Sequence, residues 1–256
     1  YIGVNKFVTD GISAMNNDTN GLADDDEYDN DGVIANYGYE INENLKFQSG
    51  FRYSDSFLNY DEVTADRTDL NNSTDDTELS YNLRLIHEYG KFKNTLVYNK
   101  TDIERATKTY QDASKNFFAE RDAINLMGEY NFNLDTKIVY GIDHEIDEAY
   151  YKDDWSGLYE KNSEFINSQY FDFQFRPKEK LYSTIGFRSD DHSISGNYTT
   201  GRATAAYKLN NLSKIRTSFG TGIRYGALYD YFYGTVLTKK EDLKPEKSKS
   251  FDIGYE

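Results

Sequence analysis

A two-residue period of apolar and polar side chains constrains the fold of this chain more than any other feature. Apolar residues take alternate positions in runs such as 33–41, 124–132 and 171–175. Successive side chains of a β-strand point to opposite faces, so each run predicts a strand with one apolar and one polar face. The sequence predicts an all-β fold of about twelve antiparallel strands, several longer than the roughly five or six residues usual in globular sheets.

The connections between these runs alternate between short and long. Tight turns are expected near 42–44, 90–91, 133–135, 177–179 and 210–211, and longer polar segments at about 9–31, 61–76, 110–116, 151–163, 190–196 and 226–247. A soluble sandwich has no reason to keep all its short turns at one end. Outer-membrane barrels have short periplasmic turns and long extracellular loops. We therefore interpret the pattern as an antiparallel transmembrane β-barrel of a Gram-negative outer membrane.

Composition fits this interpretation once disorder is excluded. A net charge of -15 and a mean hydropathy of -0.82 alone would suit an acidic disordered chain, but 24 Tyr and 16 Phe with only 2 Pro argue against that. A spanning barrel needs only alternate residues to be apolar, so its mean hydropathy can be low. The absence of Cys excludes disulfides and thiolate metal sites. The sequence has no basic stripe of the kind that would indicate nucleic acid as a partner.

An acidic run at 24–31, closed by Gly32, is the sharpest chemical signal. Carboxylates at alternate positions suit calcium, which takes 6–8 oxygen ligands. An EF-hand starting at Glu27 fails because its twelfth position is Gly38, where a bidentate Glu is required. A second acidic segment at 59–66 follows one hairpin later, so both are expected at the same rim. A calcium site and a solvated acidic loop both remain open.

Two stretches of sequence resemble a known family. Gly220-Thr221-Gly222, the block Leu243-Lys244-Pro245-Glu246-Lys247-Ser248 and the alternating strand 251–256 resemble TonB-dependent receptors, although Arg224-Tyr225-Gly226 lacks the Pro usual at the strand exit. Asp10 to Ala14, the acidic run and Asn59-Tyr60-Asp61 resemble the vitamin B12 (cobalamin) receptor branch of that family.

This resemblance implies a barrel of about 22 strands around a plug, of which residues 1–256 would be one barrel domain, incomplete at both ends and without the plug. It implies import of cobalamin or another metal chelate, driven by TonB through the plug, in a monomer surrounded by outer-membrane lipid and lipopolysaccharide. A ferric-siderophore receptor and a plug-less diffusion porin are the alternatives. The calcium ligands it implies are Asp10, Glu27, Asp29, Asp31, Tyr60, Asp61 and Asp66. The aromatic residues offered to the ligand are Tyr229, Tyr231, Phe232 and Tyr233.

An enzyme is not expected. Asp143, His144 and Glu145 form the one His–carboxylate cluster that suggests catalysis. His144 falls in the apolar register of its strand while both carboxylates fall in the polar register, so the three side chains cannot converge. No context for a nucleophilic Ser is present either.

Overall fold

In the part of the chain that the structure describes, twelve β-strands form one antiparallel sheet in which every strand pairs only with its neighbours in the chain. The computed structural model describes residues 1–12, 25–61, 71–109, 114–154, 157–228 and 243–256. The strands are β1 (Ile2–Thr9), β2 (Tyr28–Asn42), β3 (Leu45–Asp61), β4 (Asn71–Tyr89), β5 (Phe92–Lys108), β6 (Ser114–Asn133), β7 (Thr136–Asp153), β8 (Leu158–Lys178), β9 (Leu181–His192), β10 (Gly196–Lys208), β11 (Lys214–Arg224) and β12 (Glu246–Tyr255). The predicted all-β fold and its strand number are confirmed. Along these residues β1 and β12 are not paired with each other, so the sheet has two open edges.

In the described part of the chain, no helix is long and apolar enough to cross a membrane.

The strands run further into the long connections than predicted. β2 begins at Tyr28, β4 at Asn71 and β8 at Leu158, although polar loops were expected up to residues 31, 76 and 163. Those loop boundaries were wrong because polarity alone does not end a strand. A hairpin that continues beyond the lipid has water on both faces, and its polar residues pair as well as apolar ones do.

The two faces of the sheet differ in chemistry. The strand register aligns a row of apolar residues on one face: Tyr39, Phe47, Leu85, Leu96, Leu126 and Ile142. On the other face it aligns Arg52, Ser80, Thr101, Arg121, Asp147 and Glu164. Lipid-facing barrels alternate apolar outward with polar inward residues. We therefore call the apolar face the outer face and the polar face the inner face.

The apolar part of the outer face, here called the outer band, approaches the height of a membrane-spanning apolar band. On β6 it runs over alternate residues from Phe132 to Ile124 and gives way to Asp122 and Glu120. Nine residues cover about 26 Å along a strand, or about 20 Å along the membrane normal at a tilt of about 40°. Outer-membrane barrels carry an apolar band of about 25 Å. The remainder of β6 therefore extends beyond the lipid on the long-loop side.

Aromatic rings line the outer band near the short turns. Ring centroids lie 4.5 Å apart for Phe92 and Tyr130, 4.7 Å for Tyr130 and Phe132, and 6.5 Å for Phe132 and Phe173. Aromatic rings at this level form the interfacial girdle of outer-membrane barrels. The short turns thus lie at one membrane surface and the long connections at the other.

Candidate functional site

A fixed guanidinium joins three strands on the inner face, near the long connections. Arg188 of β9 donates from Nε to Asp190 Oδ1 (2.7 Å), from Nη1 to Asp143 Oδ2 of β7 (2.8 Å) and from Nη2 to Ser168 Oγ of β8 (2.7 Å). Asp190 is only 4% exposed. A buried carboxylate is tolerated when a cation and hydrogen bonds satisfy it, so Arg188 holds this part of the wall in one arrangement.

His192, the last residue of β9, is buried, and its neutral side chain binds the turn that follows. Its Nδ1 accepts hydrogen bonds from the backbone N–H groups of Ile194 and Ser195, both at 3.1 Å. A nitrogen that accepts carries no proton, so the neutral ring is protonated at Nε2, which lies 3.4 Å from Glu164 Oε2. Outer-face residues of β9 are apolar only as far as Phe187, so His192 lies beyond the outer band. Burial lowers the pKa of its imidazole, in agreement with a neutral ring.

Tyr225, which follows β11, returns to this part of the wall. Its ring stacks on His192 with centroids 4.2 Å apart and meets Tyr198 of β10 edge-on at 6.0 Å. Its hydroxyl donates to Asp190 Oδ2 at 3.3 Å. Burial, followed by the charge of Asp190, raises the pKa of Tyr225 to about 12. The hydroxyl therefore remains a donor at neutral pH.

A small apolar cluster lies close to Tyr225. Leu228 and Ala149 of β7 are its buried members, and Phe117, Ile194 and Leu243 pack against them. Leu228 precedes, and Leu243 follows, the segment 229–242. The two residues that flank that segment therefore contact the same cluster on the inner face.

The described carboxylates that were predicted to bind calcium lie in the connection between β1 and β2 and on the strands β2 and β3. Asn59, next to Tyr60, donates its backbone N–H to Glu27 O at 2.9 Å, so the ends of the first two acidic segments meet. Asp10 lies in the connection after β1, while Tyr60 and Asp61 end β3. Asp66 lies outside the described residues. Among the residues that are described, no three His, Cys, Asp or Glu side chains form a group that could hold a metal ion.

Asp29 and Asp31 were expected in a loop, and that placement was wrong. Both belong to β2, whose register pairs Asp31 with Lys6 of β1 on the outer face. Lys6 Nζ lies 3.3 Å from Asp29 Oδ1 and 3.1 Å from Asp31 Oδ2. The strand extends through these residues because an ammonium group between the two carboxylates offsets their repulsion.

The predicted ligand-contacting residues Tyr229, Tyr231, Phe232 and Tyr233 lie outside the described residues. Sequence reasoning did not identify the contacts that join Tyr225 to Asp190 and His192, which come earlier in the chain. A signal was present in Arg188, Asp190 and His192, which alternate on one face of β9. A row of charged and titratable residues at period two predicts a polar inner surface, although it does not identify their partners.

The geometry rules out convergence at the suspected His–carboxylate cluster. His144 Nδ1 contacts Asn167 Oδ1 at 2.6 Å on the outer face, whereas Asp143 is held by Arg188 on the inner face. The prediction that these neighbours point apart is confirmed.

Long strands, an outer apolar band, a polar inner face and alternating short and long connections define the wall of a transmembrane antiparallel β-barrel. A family model described as TonB dependent receptor-like, beta-barrel, matches residues 3–256. The chain belongs to this family of TonB-dependent receptors, as its motifs indicated.

Relatives and solved structures agree on the fold. The chain is 21% identical over 235 residues to the vitamin B12 transporter BtuB of Vibrio vulnificus, covering 89% of this chain and 37% of the transporter. It is also 21% identical over 235 residues to the vitamin B12 transporter BtuB of Photobacterium profundum, covering 90% of this chain and 36% of that transporter. The copper transporter OprC superposes with a TM-score of 0.74 at 14% identity over 99% of this chain and 46% of OprC. The siderophore receptor PirA from Acinetobacter baumannii gives 0.72 at 16% identity, over 99% and 45%. The chain thus spans less than half of each of these proteins.

Proposed function

We propose that this chain is part of an outer-membrane receptor that imports cobalamin with energy delivered by TonB. The observation that carries the proposal is the alignment of about nine-tenths of the chain with two curated vitamin B12 transporters, at 89% and 90% coverage. Family membership supports a receptor over a plug-less porin and over an enzyme. TonB would act through the plug, and the wall described here would surround it.

The inner face near the long connections offers suitable surroundings for a bulky chelate. Aromatic side chains supply large, rigid contact area, and a few fixed polar groups set orientation. Tyr229, Tyr231, Phe232 and Tyr233 would provide the aromatic contacts. Arg188 is a fixed polar group nearby, since its half-exposed guanidinium is bound to Asp190 and Asp143 in the wall.

Calcium at the rim formed by the first two long connections remains part of the proposal. The candidate ligands are Asp10, Glu27, Asp29, Asp31, Tyr60, Asp61 and Asp66. The Lys6 contacts bear on it directly, because Lys6 holds both Asp29 and Asp31. A calcium ion could take these two carboxylates only by displacing the ammonium group, since both cations compete for the same oxygen atoms.

Calorimetric titration of the intact receptor in detergent tests substrate and ion together. We expect calcium to bind with a dissociation constant between about 1 μM and 1 mM and to strengthen cobalamin binding about tenfold. If neither calcium nor cobalamin gives heat, the proposal fails. Binding of a ferric siderophore instead of cobalamin would establish the alternative substrate class.

Lys6→Met is expected to strengthen calcium binding about threefold to tenfold, because it removes the competing cation. The same titration measures it. Lys46→Met is the matched control, since Lys46 pairs with Glu40 at 3.0 Å beside a short turn and is similarly exposed. Equal calcium affinity in both variants would remove Asp29 and Asp31 from the ligand set.

A further inference from the structure

We propose that Tyr225, stacked on His192 and hydrogen-bonded to Asp190, anchors the root of the β11–β12 loop to the inner wall and thereby positions the loop for its ligand. Tyr225 is a positioning residue in this proposal, since it contacts the wall. The link to ligand affinity rests on the proposed function, whereas the anchoring itself does not.

Three independent contacts fix Tyr225. The face of its ring covers His192, an edge-on contact joins it to Tyr198, and its hydroxyl reaches Asp190. The partners belong to β9 and β10, so a residue outside the sheet is joined to two of its strands. Aromatic rings in contact stabilise one another beyond the apolar area that they bury, so these contacts hold the root of the loop against the wall.

The surface beneath Tyr225 is held in place by its own hydrogen bonds. Arg188 fixes Asp190 and connects it to β7 and β8. His192 is fixed by the hydrogen bonds that it accepts from two backbone N–H groups in the β9–β10 turn. Tyr225 therefore packs against a preformed site in which Asp190 and His192 already have their own hydrogen bonds.

The apolar cluster extends the anchor to both ends of the loop. Leu228 is buried against Ala149, and Leu243 packs against the same pair. A loop whose two ends are held together has already lost part of its conformational freedom, so ligand binding pays less ordering entropy. Loosening the root should raise the dissociation rate of the ligand more than it lowers the association rate.

Hydrogen exchange and ligand affinity, measured on the intact receptor in lipid nanodiscs, test the anchor. In Tyr225→Ala we expect amide exchange over 225–228 to rise at least about tenfold and the cobalamin dissociation constant to rise about tenfold, because the buried stack and its hydrogen bond are lost. Tyr225→Phe, which loses only the bond to Asp190, should give about a threefold change in each.

Two further variants separate anchoring from general damage. His192→Asn removes the ring beneath Tyr225 but keeps a side-chain acceptor for the turn, so exchange should rise over 225–228 and change little over 193–195. Tyr159→Ala is the matched control, because Tyr159 contacts Tyr150 on the outer face, away from this site. It should leave both readouts unchanged.

The outcomes separate this inference from the proposed function. Unchanged exchange in Tyr225→Ala and His192→Asn would overturn the anchor whatever the ligand. Faster exchange with unchanged affinity would overturn its role in positioning. A wild-type receptor that binds no cobalamin would refute the proposed substrate, while faster exchange in the two variants would still establish the anchor.

Discussion

Leu126→Arg is expected to destabilise the folded barrel in a bilayer by about 2–4 kcal/mol, whereas Met127→Arg should change its stability by about 0.5 kcal/mol or less. The two residues are adjacent on β6 and are almost equally exposed, at 39% and 40%. Leu126 lies in the outer band, where an arginine must be taken out of water. Met127 lies on the inner face, where a charge can remain hydrated.

Equilibrium unfolding of the intact receptor in lipid vesicles, followed by tryptophan fluorescence, measures both changes. Because chemistry and exposure are matched, only the solvent at each face distinguishes the two variants. Equal losses would contradict the assignment of the faces, and a larger loss for Met127→Arg would reverse it.

Arg188→Met is expected to destabilise the barrel by about 2 kcal/mol. Breaking a fully buried ion pair costs about 3–5 kcal/mol, whereas an exposed pair contributes about 0–1 kcal/mol. Arg188 lies between these limits, since its side chain is 41% exposed while that of Asp190 is 5% exposed. The loss arises mainly because Asp190 and Asp143 remain in the wall without their cation.

Arg202→Met provides the control for Arg188→Met. Arg202 also faces inward and binds Asp172 through two nitrogen atoms, but its side chain is 58% exposed. The same unfolding measurement should show a loss below about 1 kcal/mol. Equal losses in the two variants would mean that burial of Asp190 does not determine the strength of the Arg188 contacts.

The strands of this chain could be predicted because each one has its own alternation of apolar and polar residues. Alternation in runs such as 124–132 reports which side chains face lipid, and lipid enforces that pattern strictly. Outside the lipid, strand residues are not required to alternate between apolar and polar. The start of β4 at Asn71 and of β8 at Leu158 therefore had no apolar signal to mark it.

The site was less predictable because its contacts join distant parts of the chain. The row Arg188, Asp190 and His192 is visible as polar residues at alternate positions. Its pairing with Tyr225 depends on the path of the chain after β11, which no local pattern encodes. The loop placement of Asp29 and Asp31 failed for a related reason, since only the register of β1 against β2 brings Lys6 to them.

The strict neighbour-to-neighbour order of the strands also bears on how such walls change over evolution. Each of the twelve described strands exchanges ladder hydrogen bonds with the strands before and after it and with no other described strand. Duplication or deletion of a whole hairpin therefore leaves every other pairing intact, and the break can be closed by two strands of the correct polarity. The circumference of the pore can grow or shrink by two strands at a time, while the chemistry of each remaining hairpin is inherited unchanged.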